Sequence, residues 1–236
     1  MMNDVEDINK KLISYFGTPF SKKEHLTNLT FSALSIAIYG TNELDKNQNE
    51  HIVWLTDYCI KKFYTKNDLE IQDIIFLHKN IVQKGAKSIF FKDGKELEIK
   101  EIQRGKFRKI NTYLNYQGHK INFIDFREIE KELHEIINDF NFSSKNVKDI
   151  SKMLLEGVRV HPFMDGNGKT FRALFDLLLI KNNYYPSLFN LSYKTNKLFF
   201  IPIFPYYSHM DKTKGLENFL DSLADVYKVS YFSTTS

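Results

Sequence analysis

Apolar positions along this 236-residue chain recur mostly at spacings of three and four, the period of an amphipathic helix. From Asn67 to Val82, the residues Leu69, Ile71, Ile74, Ile75, His78, Ile81 and Val82 form one broad stripe, with Asn67 or Asp68 placed to cap its start. From Asp125, itself an expected N-cap, the positions Phe126, Ile129, Leu133, Ile136, Ile137 and Phe140 repeat the pattern. A third helix is expected after Ser143-Ser144, with Val147, Ile150, Met153, Leu154 and Val158 inward. A fourth starts near Gly168 and carries Phe171, Leu174, Phe175, Leu178 and Leu179 to the turn KNNYYPS. Its segment FRALFDLLLI is apolar nearly all round, so it is expected at the centre of the fold.

One stretch breaks the helical period. In KINTYLNYQGHKINFI, apolar and polar residues alternate on either side of a turn near Gln117-Gly118, the pattern of a short β-hairpin. Further on, KLFFIPIFPYYSH is aromatic and interrupted by proline, and GLENFLDSLADVY reads as a last amphipathic helix. The expected fold is all-α with one short hairpin. No linker calls for a second domain.

A chain of this length can bury a core that needs no covalent staples. Its single cysteine, Cys59, lies in VWLTDYCIKKFY, where an apolar helix face gives it a structural role. A net charge of +4 suits an anionic ligand, but the charge is spread along the chain and forms no basic block, so nucleic acid is not indicated. Residues 1–30 mix acids with lysines and have no apolar signal-peptide core, and no window reaches membrane-spanning length. A soluble, cytoplasmic protein is expected.

The chemistry concentrates in HPFMDGNGKTFR, residues 161–172. Its GNGKT resembles the end of a P-loop, but the first glycine of that motif would fall at Phe163, and the preceding residues have helical and not strand period. The segment instead joins two helices, and its glycines let backbone N–H groups converge at the start of the second. Lys169 and Arg172 add cations to that first turn, where they oppose the helix dipole unless an anion is bound. Asp165 tolerates phosphates nearby if Mg²⁺ sits between, and His161 is placed to accept a proton from a hydroxyl. Taken singly, each residue has an ordinary structural reading: Asp165-Gly166 and Asn167-Gly168 are common turn dipeptides, and Phe163 is a core anchor. Together they describe a loop that handles phosphate.

The segment resembles the signature of the Fic-domain family, H-x-F-x-[DE]-G-N-G-R-x-x-R. His161, Phe163, Asp165, Gly166, Asn167, Gly168 and Arg172 match, and Lys169 stands where the family usually has arginine. RGKFRKINTYL resembles the family's G-x-[YF]-R segment through Gly105, Phe107 and Arg108, followed by a flap hairpin at about 108–124; the resemblance implies that Gly105, Arg108, Ile110 and Thr112 serve the flap and its docking of a target backbone. The resemblance implies an N-terminal helical region over 1–66, a catalytic core with its flap over 67–200, and a C-terminal helical segment over 201–236. It also implies transfer of AMP from ATP, as co-substrate with Mg²⁺, to a Ser, Thr or Tyr hydroxyl of a target protein or of the chain itself. His161 is then the base, Asp165 the magnesium ligand, and Gly166, Asn167, Gly168, Lys169 and Arg172 the phosphate site. A lysine cannot make arginine's planar bidentate contact, so weaker phosphate binding is expected at Lys169. The kinase-like Doc branch replaces the second glycine of G-N-G by lysine, whereas this chain keeps Gly168.

Many members of that family carry an inhibitory helix, [ST]-x-x-x-E-[GN]. ALSIAIYGTNE resembles it through Ser35 and Gly40, but Tyr39 holds the glutamate position and cannot pair with a guanidinium as a carboxylate does. TKGLEN offers a second match through Thr213, Glu217 and Asn218. Three readings compete with AMP transfer: transfer of UMP, phosphate or phosphocholine by the same loop, a catalytically idle scaffold that uses the flap, and a metal hydrolase. The last is disfavoured because only His161 and Asp165 lie close as ligands. Assembly into homo-oligomers is compatible with the sequence.

Overall fold

The computed structural model of the chain describes residues 2–82, 88–92, 95–99, 103–116, 119–187 and 211–232. Among these, helices dominate: α1 (Met2–Phe16), α2 (Lys23–Tyr39), α3 (Lys46–Tyr58), α4 (Ile71–Ile81), α5 (Ile129–Phe142), α6 (Val147–Val160), α7 (Asn167–Lys181) and α8 (Lys212–Phe232). Two antiparallel hairpins interrupt them, β1 (Ser88–Lys92) with β2 (Lys95–Ile99) and β3 (Tyr113–Tyr116) with β4 (His119–Asn122). The fold is all-α, as the periodicity predicts.

Helix α7 lies at the centre, and Ala173 to Ile180 are all buried along it. It packs against α2, α4 and α6, while α8 closes the far side against α1 and α6. The α6–α7 contact depends on Gly157, where a Cβ would fall 2.1 Å from Cε1 of Phe171. No larger residue fits that crossing without displacing a fully buried ring.

The expected hairpin is present, in the register Tyr113↔Asn122 and Leu114↔Ile121, with its turn at Gln117-Gly118 outside the described residues. The hairpin β1–β2 is an additional element; its register, Phe90↔Leu97 and Lys92↔Lys95, brackets the turn dipeptide Asp93-Gly94 of the sequence. The stretch KLFFIPIFPYYSH also lies outside the described residues.

Two helix starts differ from the periodic expectation. α4 begins at Ile71 because Leu69 is held in a loop, its N–H donating to Asn141 Oδ1 at 2.9 Å and its carbonyl accepting from Asn141 Nδ2 at 3.0 Å. Asp73 then takes the N–H of Glu70 at 3.0 Å, so the cap lies further along than Asn67 or Asp68. Asp125 does cap, accepting from the N–H of Arg127, but it caps a 3₁₀ turn (Phe126–Glu128) that leads into α5. Among the described residues no helix is long and apolar enough to cross a membrane. Cys59 is buried, and burial raises its thiol pKa far above the ordinary range, in keeping with a structural role.

Candidate active site

The residues from 161 to 172 turn the chain from α6 into α7. α6 stops because His161 adopts a left-handed conformation, φ 49° and ψ 59°, while its N–H still reaches the Gly157 carbonyl at 3.3 Å. Such a backbone is unfavourable for a residue with a Cβ, and persists only where the surroundings fix it. Here Arg108 does so: its Nε donates to the His161 carbonyl at 2.8 Å and its backbone N–H to the Pro162 carbonyl at 2.8 Å.

Arg108 itself is only 2 % exposed. Besides His161, its guanidinium donates to the carbonyls of Ile110 at 2.8 Å and Ile124 at 2.6 Å, which flank the β3–β4 hairpin. It therefore anchors the flap from beneath, tying both its ends to the loop, and its guanidinium is not presented to a target. Ile110 is exposed, and Gly105 sits at φ +70° with Lys79 and Ile75 close behind it. The Thr112 carbonyl accepts the Phe123 N–H at 3.1 Å, extending the hairpin by one bond.

The His161 ring stacks on Phe123, centroids 3.9 Å apart and planes 13° from parallel. Burial, with Arg108 nearby, pushes the imidazole pKa down to about 4, the Val158 carbonyl acting in the opposite sense. The ring is therefore neutral at physiological pH. Nδ1 is buried without a well-aligned hydrogen-bond partner, which leaves Nε2 as the nitrogen available to a substrate proton.

Beyond His161 the loop is fixed by its own amide. Asn167 is buried, its Oδ1 accepting the Phe163 N–H at 2.9 Å and its Nδ2 donating to the Phe163 carbonyl at 2.8 Å. Its side chain is thus committed to loop shape. Gly166 caps α7 at φ +76°, where a Cβ would meet Val82 Cγ2 at 2.5 Å. A Cβ on Gly168 would lie 3.2 Å from Arg172 Nη1, so the glycine lets the guanidinium lie against the helix start. Asp165 is exposed and accepts the Gly166 N–H at 2.6 Å through Oδ1, leaving Oδ2 for a further partner.

These residues line one cavity of about 380 Å³, formed by Ile38 and Tyr39 of α2, Ile81 and Val82 at the end of α4, and His161, Asp165, Gly166, Asn167, Gly168, Lys169 and Arg172. The cavity therefore joins the histidine, the carboxylate, the α7 N-terminus and both cations. Tyr39 reaches it from the end of α2, its hydroxyl 3.0 Å from His51 Nδ1, and burial raises its pKa so that the phenol is neutral. Ser35, one turn earlier, donates to the Thr41 carbonyl, and Gly40 ends the helix at φ +76°. Glu217 is exposed on α8 and is not among the lining residues.

A second cavity, of about 200 Å³, opens between α5, α6 and the start of α8. Its charges satisfy one another: Glu156 pairs with Arg159 at 2.5 Å and Lys212 at 2.8 Å, and Arg159 with Glu132 at 2.7 Å. It ties three helices together and offers no comparable chemistry.

One residue of the site escaped the sequence reading. His78, in the apolar stripe of α4, is fully buried beneath the loop, its ring parallel to Phe163 at 3.7 Å. Its Nε2 lies 2.8 Å from the Asp165 carbonyl, and its Nδ1 accepts the Gly105 N–H at 2.8 Å. Burial lowers its pKa to about 4, the Asp165 carbonyl and charge opposing and Arg104 adding to the fall. A histidine at a core position of an otherwise apolar stripe is the signal that could have pointed to it.

A profile of the Fic/DOC family matches residues 68–179, which span α4 to α7 and contain the whole loop. The chain carries a Fic domain. The protein adenylyltransferase Fic of Drosophila ananassae is 25 % identical over 131 residues, 55 % of this chain and 23 % of that protein, so the chain matches under a quarter of that relative's length. Among solved structures, a Fic family protein from Desulfovibrio desulfuricans superposes with a TM-score of 0.64 at 10 % identity, covering 100 % of this chain and 75 % of that one. Fic-1 from C. elegans superposes with a TM-score of 0.60 at 15 % identity, covering 97 % of this chain and 69 % of that one. At these identities the superpositions concern the fold.

Proposed function

We propose that this Fic protein transfers AMP from ATP to a Ser, Thr or Tyr hydroxyl of a target protein. The observation that carries the reading is the shared cavity, in which a neutral His161 and the α7 N-terminus with Arg172 face the same volume. In the reaction the hydroxyl oxygen bonds to the α-phosphorus, the bond to the α–β bridging oxygen breaks, and pyrophosphate leaves. The hydroxyl proton passes to His161 Nε2. The first-turn N–H groups of α7, Lys169 and Arg172 bind the phosphates and neutralise their charge.

Mg²⁺, when bound, supplies charge neutralisation at the phosphate oxygens. Asp165 fits it, being exposed with one carboxylate oxygen uncommitted. Among the described residues no group of three or more His, Cys, Asp or Glu side chains could hold a metal.

Regulation by α2 is part of the proposal. Tyr39 occupies the position from which a glutamate would face Arg172, and a neutral phenol held by His51 forms no ion pair there. The enzyme is then active without release of an α2 glutamate. The reading is tested by mass spectrometry of cytosolic proteins incubated with the enzyme, Mg²⁺ and ATP. Hydroxyl-bearing peptides gain the mass of AMP, and no such peptide forms with His161→Ala.

A further inference from the structure

Among the described residues, Arg108 and His78 hold the loop bearing His161 and Asp165 to the rest of the fold by hydrogen bonds to its backbone carbonyls. Arg108 holds its beginning at His161 and Pro162. His78 holds its far end, at Asp165.

The two hydrogen bonds of His78 run head to tail. Gly105 N–H can only donate, so Nδ1 is the unprotonated nitrogen, and a neutral ring then carries its proton on Nε2. Nε2–H donates to the Asp165 carbonyl, 2.8 Å away. One imidazole in one tautomer therefore links the Gly105 turn, at the base of the flap, to the residue that precedes Gly166. The ring is held parallel to Phe163 at 3.7 Å, and a Cβ at Gly166 would come within 3.4 Å of Nε2, so the loop lies directly on the imidazole. Arg104 Nε donates to the neighbouring Lys79 carbonyl at 2.7 Å, so the last turn of α4 grips the flap segment at two adjacent residues.

We propose that His78 is a positioning residue of this site, which as the Nε2–H imidazole sets the Asp165–Gly166 backbone, and through it the start of α7, in register with the flap. As a role in catalysis this rests on the adenylyl-transfer reading; as a device that fixes the loop it does not. An ordinary core histidine would tolerate replacement by an apolar ring of similar size. A positioning histidine does not, because misplacing reacting groups by about 1 Å costs about a hundredfold in rate.

The test uses the full chain. In the wild type, long-range ¹⁵N–¹H NMR of the imidazole shows the neutral Nε2–H tautomer; a neutral Nδ1–H tautomer overturns the proposal whatever the variants do. His78→Phe keeps the ring stack and loses both hydrogen bonds. Backbone amides of residues 163–168 then exchange with solvent at least about tenfold faster, while those of α5 are unchanged. Equal exchange in a folded His78→Phe chain overturns the proposal. His78→Gln, which restores a donor toward Asp165, recovers part of the protection, and no recovery also counts against it. Where the wild type transfers AMP, His78→Phe lowers kcat/KM in parallel and His78→Gln recovers part of it. A loop that loosens in His78→Phe, beside a wild type found to have no transfer activity, upholds the positioning and removes the functional reading.

Discussion

Phe123, the residue that follows β4, lies face to face with His161, ring centroids 3.9 Å apart. The stack joins the flap to the candidate base, so whatever displaces the flap also exposes the imidazole. Phe123→Ala removes the cover and lets water reach the ring. The His161 pKa, followed by NMR titration, is expected to rise from about 4 toward 6.5. An unchanged value would mean that burial by the loop and Arg108 alone set it.

Acid is expected to destabilise the protein through His161. The folded pKa is about 4 against 6.5 for a free imidazole, so as pH falls the unfolded chain takes up the proton first. The stability gained by keeping the ring neutral is complete above about pH 6.5 and is lost as pH falls toward 4. Urea unfolding across this window measures the slope. In His161→Asn, which cannot titrate there, the slope is shallower than in the wild type.

Gly157→Ala tests the closest helix crossing. The added Cβ would lie 2.1 Å from the Phe171 ring, which is completely buried, so the ring or the helix would have to shift. A loss of about 1–3 kcal/mol, the range for overpacked cores, is expected in denaturant unfolding. A loss within about 0.5 kcal/mol, the scatter of neutral surface changes, would place the α6–α7 crossing further apart than described.

Tyr39→Glu restores a carboxylate at the end of α2. With Arg172 lining the same cavity, affinity for ATP measured by calorimetry should fall at least about fivefold, the lower end of ordinary coupling between sites. Tyr39→Phe should bind as the wild type does, since the phenol hydroxyl is engaged by His51.

Helices α5 and α6 were legible because each shows one apolar stripe, α7 because it is apolar nearly all round, and the loop between α6 and α7 because its chemistry is compressed into twelve consecutive residues. What was not legible depends on contacts distant in sequence. Arg108 was singled out only through the G-x-[YF]-R resemblance; its burial was not legible because arginine is seldom fully buried, and only the fold brings four carbonyls around it. His78 meets Gly105 and Asp165 across 27 and 87 residues, a pairing no periodicity encodes. The hairpin β1–β2 was within reach, since Asp93-Gly94 between alternating residues is a strong turn signal.

The central claim is that the cavity of His161 and Arg172 cleaves ATP at the α-phosphorus and delivers AMP to a protein. It is tested most directly by offering the enzyme ATP labelled on the α-phosphate and, in parallel, on the γ-phosphate, with Mg²⁺ and a cytosolic extract. Protein-bound label from the α position alone, lost with His161→Ala, is the predicted result. Protein-bound label from the γ position alone would contradict it and make the reaction a phosphate transfer.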